Sequence, residues 1–164
     1  MALKTDRSTL QTDISFFMNE AATRGGVVVH GSTTGSGAAM DQGKAVVTYA
    51  AAPSGKVPVG LMMNDMVSID LTRQHLNQHK DEVQKGGKVT LLQKGWVVTN
   101  SLEGTSPAAG NTAFLAHSGN LSASDLSNDE GDVDGSTRVV GRFLSGVDED
   151  GYAKVFIDLP NTNL

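Results

Sequence analysis

A succession of short β-branched runs, each cut off by turn residues, constrains this chain more than any other feature. The runs are Val27–Val29, Ala45–Tyr49, Val57–Met63, Met66–Leu71, Val89–Leu92, Trp96–Thr99, Thr112–Ala116, Val139–Leu144 and Ala153–Leu159. Each has strand length and is too short for most helices. Several alternate. In the last run Ala153, Val155, Ile157 and Leu159 share one face, with Lys154, Phe156 and Asp158 on the other. Val147-Asp148-Glu149-Asp150-Gly151, just before it, carries the Asp-Gly signal of a hairpin turn. Pro53, Pro58, Pro107 and Pro160 stand at run edges or in loops, where a missing N–H does least harm. At 164 residues the chain is sized for one domain. The pattern predicts an all-β (mainly β) domain, a small β-barrel or sandwich.

One segment reads differently. In Thr9–Thr23 the residues Leu10, Ile14, Phe17, Met18 and Ala21 fall on one helical stripe. Gly25 and Gly26 follow where a left-handed C-terminal cap belongs. A short N-terminal helix or arm is therefore expected over 1–25, and a single β domain over 26–164. The helix either docks on its own core or reaches a neighbouring subunit. Aromatics are only 5% of the chain, so the core must rest on Val, Leu, Ile, Ala and Met. Trp96, beside Val97 and Val98, is expected to pack in that core. The stretches 31–43, 103–111 and 118–136 read as polar loops, and 72–83 as a short helix or a wide connection. Long loops in small domains are usually functional or disordered.

Charge and composition remove several classes of function. Thirteen Lys and Arg against 18 Asp and Glu leave a net charge of −5. No basic face of the kind that displaces phosphate counterions is visible, so nucleic acid is not an expected partner. The acidic clusters 125–134 and 148–150 read as solvated loops. No apolar run approaches a membrane-spanning length, and the N-terminal residues lack the apolar core of a secretion signal. The chain has no Cys, which removes disulfides, thiolate metal sites and cysteine nucleophiles together.

The chemical motifs fail one by one. Gly37 to Lys44 resembles a phosphate loop, but its spacer is one residue too long and Ala45 stands where Ser or Thr would bind magnesium. His75 and His79 share the spacing of two zinc ligands, yet Leu76 replaces the catalytic Glu and no third ligand is indicated. Glu130, Asp132 and Asp134 mimic the start of a calcium loop whose closing carboxylate position is Gly141. No serine sits at a strand-to-helix elbow. The expectation is no catalysis, no metal, no cofactor and no small-molecule substrate.

The order of elements is more telling than any motif. Gly25-Gly26-Val27-Val28-Val29 leads to Asp41-Gln42-Gly43-Lys44-Ala45-Val46-Val47 and Lys56-Val57-Pro58-Val59-Gly60-Leu61. Gly86-Gly87-Lys88-Val89-Thr90-Leu91 then runs into Lys94-Gly95-Trp96-Val97-Val98-Thr99. Val140-Gly141-Arg142-Phe143-Leu144 and Asp150-Gly151-Tyr152-Ala153-Lys154-Val155 close the series. This order resembles the capsid decoration, or cement, proteins of tailed bacteriophages over about Gly25 to Leu159. The resemblance implies a β-tulip-like domain on the outer surface of a virion head. It implies binding to the phage major capsid protein, as a homo-oligomer (trimer) that clamps neighbouring subunits, with no membrane or nucleic acid involved. Leu10, Ile14, Phe16, Phe17 and Met18 are the candidate subunit or capsid contacts. The alternatives are a tail or fibre β-domain that binds host glycans, and an enzyme with an unrecognised site. The first would need exposed aromatics near carboxylates on one face, and the second a pocket with perturbed titratable groups.

Overall fold

The computed structural model describes residues 3–31, 45–63, 82–126 and 136–159. Twelve strands lie among them: β1 (Leu3–Asp13), β2 (Phe17–Met18), β3 (Ala22–Thr23), β4 (Val27–His30), β5 (Val46–Thr48) and β6 (Pro58–Met62), then β7 (Glu82–Val83), β8 (Leu91–Thr99), β9 (Thr112–Leu115), β10 (Leu121–Ser122), β11 (Val139–Phe143) and β12 (Ala153–Asp158). A short 3₁₀ turn, His117–Gly119, lies between β9 and β10. The mainly-β expectation holds. The expected strands at 66–71, the segment 72–81, the stretch 32–43, His75, His79 and the acidic residues 130–134 lie outside the described residues.

The architecture is a sheet forked at β8. One edge of β8 is taken by β1, from Leu3 opposite Thr99 to Asp13 opposite Leu91. The other edge is shared. Leu91 and Leu92 pair with Met62 and Leu61 of β6, while Lys94 to Thr99 pair with Asp158 to Ala153 of β12. From the fork one arm runs β12-β11-β9-β10 and the other β6-β4-β5-β2. Among the described strands only β2 and β5 pair in parallel, with one isolated parallel bridge between Leu102 and Leu121; the sheet is mixed and its described path is open, ending at β10 and β2. Closure into a barrel is replaced by folding the two arms over a common core.

That core holds Leu3, Val27, Val29, Leu61 and Leu92 against Leu115, Leu121, Val140, Phe143, Val155 and Ile157. A second cluster joins Phe16, Met18, Val28, Val47, Met62, Val83 and Leu91. Neighbours in sequence thus enter different cores: Val27 and Val29 the first, Val28 the second; Leu61 the first, Met62 the second. A strand buried on both faces reads as a continuous apolar run instead of an alternation, and Val27-Val28-Val29 is such a run.

The N-terminal helix is not formed, and this second core gives the reason. The Phe16–Asn19 backbone is stitched from both sides. Phe17 and Asn19 N–H groups donate to Ala45 and Val47 carbonyls at 2.9 Å, and Met18 donates to Gly87 at 2.9 Å. In return Gly86 N–H donates to the Met18 carbonyl at 2.7 Å. Phe16 and Met18 point inward while Phe17 stays half-buried, a period of two hidden inside the helical stripe. Before it, Thr, Ser and Asp dominate, side chains that compete with helical hydrogen bonds. Asp13 ends β1 by accepting from Ser15 N–H at 2.7 Å. Gly25 does take a left-handed φ of 109°, but it turns the chain from β3 into β4.

Two glycines set close approaches. Gly95, at φ 144°, lies where β1 crosses β8 with a register shift beside Leu10, and a Cβ there would overlap the Ser8 carbonyl. Gly119, at φ 81°, lies against the Tyr49 ring, where a Cβ would overlap the aromatic edge. Tyr49 is the joint between the arms. Its hydroxyl donates to the Thr23 carbonyl at 2.6 Å and accepts from Gly26 N–H at 3.3 Å. Its backbone N–H and the Thr48 hydroxyl both donate to the Glu20 carboxylate, at 2.6 and 2.5 Å. Burial pushes the Tyr49 phenol well above its usual range.

The loop expected over 118–136 is also revised where it is described. Leu121, Ser122 and Leu126 are buried, and Leu121 and Ser122 form β10 beside β9. Two leucines in a polar stretch were enough to pull its first part into the sheet.

Candidate interaction surface

The β12 alternation foreseen from sequence is realised: Ala153, Val155, Ile157 and Leu159 are buried, while Lys154 and Phe156 are half-buried and Asp158 is exposed. Register then fixes what shares the outer face. Phe156 lies opposite Trp96 on one side and Arg142 on the other, and Lys154 opposite Val98. Trp96 is therefore not a core residue. Val97 and Thr99 take the inward positions of β8, which forces Trp96 and Val98 outward. The Lys154 ammonium sits 3.6 Å from the centroid of the Trp96 ring, a cation–π contact on this face. Lys94 and Asp158 form an ion pair at 3.1 Å.

Beside them a recess of about 380 Å³ opens between β11 and β12, lined by Val139, Gly141, Arg142, Leu144, Phe156 and Asp158. Arg142 is exposed, and its guanidinium has no hydrogen bond or ion pair among the described residues. Arg142, Lys154 and Lys94 against Asp158 make this face locally cationic on a chain of net charge −5. The acidic tip of the same hairpin differs. Asp148 Oδ1 accepts from Asp150 and Tyr152 N–H at 3.0 and 2.7 Å, and Oδ2 meets the Lys4 ammonium at 2.8 Å. The Lys4 hydrogen bond holds the Asp148 carboxyl below its usual range, and Asp148 raises Lys4 in return. A half-buried pair, His117 Nδ1 and Glu103 Oε1 at 3.0 Å, fastens the 3₁₀ turn, and Glu103 Oε2 also accepts from His117 N–H at 3.0 Å.

The five contact residues expected from sequence do not form one patch. Leu10 is 66% exposed, on β1 next to the register shift. Ile14 is half-buried, and Phe17 is half-buried with the Lys88 ammonium 4.6 Å from its ring centroid. Phe16 and Met18 are in the second core. The other exposed large apolar side chains among the described residues are Val57, Leu144 and Val147. Sequence reasoning missed Arg142, Leu144 and the outer aromatics. The visible signal was Phe156, an aromatic on the otherwise polar side of an alternating strand.

No group of three or more His, Asp or Glu side chains among the described residues is arranged to hold a metal ion. No helix among them is long and apolar enough to cross a membrane. The described residues form a mainly β fold with one sheet face open to solvent. Comparison with known families specifies the class: residues 6–158 match the family described as structural cement protein (E217 gp24/Pam3 gp6). The chain belongs to this family of phage structural cement proteins. No curated protein matches it. The family points to a structural, non-enzymatic role in association with the phage capsid.

Proposed function

We propose that the protein binds the outer surface of a phage head and stabilises the capsid lattice by bridging major capsid subunits, without catalysis. The observation that carries this reading is the family match over residues 6–158. The structure supports it in kind. Both cores are filled by the chain's own side chains, while Leu10, Val57, Leu144 and Val147 remain exposed for contacts outside it. Of the contacts expected from sequence, Leu10 keeps a free side chain, with Ile14 and Phe17 contributing their partly exposed surface. The protein acts as a homo-oligomer, a trimer, so that weak contacts from each copy add through avidity.

Peptide counting in purified virions tests the reading. Copy numbers comparable to the major capsid protein are expected, and heads stripped of this protein should lose DNA at lower temperature than complete heads. A handful of copies per virion would place the chain on the tail and overturn the proposal.

A further inference from the structure

We infer that the recess between β11 and β12 is a docking site for an acidic–apolar segment of the capsid partner. In it the Arg142 guanidinium takes a carboxylate, and Phe156, Val139 and Leu144 take the neighbouring apolar side chain. This rests on the capsid-binding reading and adds to it the chemistry of one contact.

The charge arrangement selects the occupant. Asp158, the one carboxylate lining the recess, is engaged by Lys94 at 3.1 Å, whereas Arg142 has no such partner among the described residues. Lys154 adds a second positive charge on the same face, held over Trp96. An anionic segment is attracted here and repelled by the rest of an acidic chain, so charge fixes orientation as well as encounter. A guanidinium grips a carboxylate through two parallel hydrogen bonds, which a Lys in its place would not reproduce. The apolar part is equally specific. Leu144 is 43% exposed at the rim, and the Phe156 ring is half-buried in the wall, so an incoming apolar side chain is desolvated between them. The site stands on neighbouring strands of one hairpin, with Arg142 directly opposite Phe156, and needs no rearrangement to form.

The test is co-sedimentation with expanded heads that lack the protein, using wild type, Arg142→Glu, Arg142→Lys, Leu144→Asp and Lys56→Glu. Both recess positions are exposed, so melting temperatures should stay near wild type. Should Leu144→Asp fail to fold, Arg142→Glu carries the test. The expected result is affinity lowered about tenfold or more by Arg142→Glu and Leu144→Asp, less by Arg142→Lys, and unchanged by Lys56→Glu, which makes the same charge reversal outside the recess. Wild-type binding that survives Arg142→Glu and Leu144→Asp intact would overturn the recess and leave capsid binding standing. Absence of wild-type binding would overturn both. Dissociation of a multimer by Arg142→Glu, with head binding kept, would show that a second copy of this chain fills the recess and overturn the capsid assignment.

Discussion

The two arms of the forked sheet are built to different rules. In β4 and β6 of the first arm both faces are covered, and consecutive residues such as Leu61 and Met62 are each fully buried in different cores. In β12 and β11 of the second arm one face is covered, and the other displays Phe156, Lys154 and Arg142. β4 and β6 are scaffold on nearly every residue; β12 and β11 are scaffold on one face and surface on the other. A strand with one free face can change what it binds without touching what it packs against.

The most disruptive way to probe this contrast is on the covered face of the second arm. Phe143→Ala should lower stability by about 3–5 kcal/mol, read by chemical denaturation. In the first arm, Leu61→Ala and Met62→Ala should each lose about 2–5 kcal/mol despite being adjacent. If only one of the pair is destabilising, the double coverage of β6 is disproved. At the joint between the arms, Gly119→Ala should lose about 1–3 kcal/mol, from a left-handed backbone and overlap with the Tyr49 ring.

Tyr49→Phe should be milder, about 1–2 kcal/mol, because it removes the hydroxyl bonds to Thr23 and Gly26 and keeps the ring. It also has a pH signature. The folded state holds the phenol protonated above its ordinary value of 10.0, so the unfolded chain ionises first. Wild-type stability should be fully present below about pH 10 and fall progressively above it, and Tyr49→Phe should flatten that slope. The smallest effect belongs to the free face. Lys154→Gln should change stability by only about 0.5–1 kcal/mol through its contact with Trp96. A loss as large as that of Phe143→Ala would mean the outer face is structural after all.

Legibility in the sequence followed the same division. The one-faced strand Ala153–Leu159 announced its inward and outward residues by alternation, and the structure keeps that assignment residue by residue. The doubly covered strands β4 and β6 announced themselves but not which core each residue joins. Phe16 to Met18 misled because a period of two and a helical stripe coincide over so short a stretch, and what chose between them lies far along the chain, at Ala45–Val47 and Gly86–Val89. Trp96 misled for a related reason: apolar neighbours on a strand do not share a face, and inwardness was settled by pairing with β12.

By itself, then, the sequence determined the strand-rich class, the positions of most strands, the Val, Leu and Met core and the absence of cysteine chemistry. Those follow from local backbone preference, turn residues and composition, which act within a few residues. The fork at β8, the second core under the N-terminal segment, the Tyr49 joint and the meeting of Arg142 with Phe156 at one recess were decided only by the tertiary structure. Each depends on hydrogen-bond register between segments distant in the chain, and a shift of one residue would have turned every side chain involved to the opposite face.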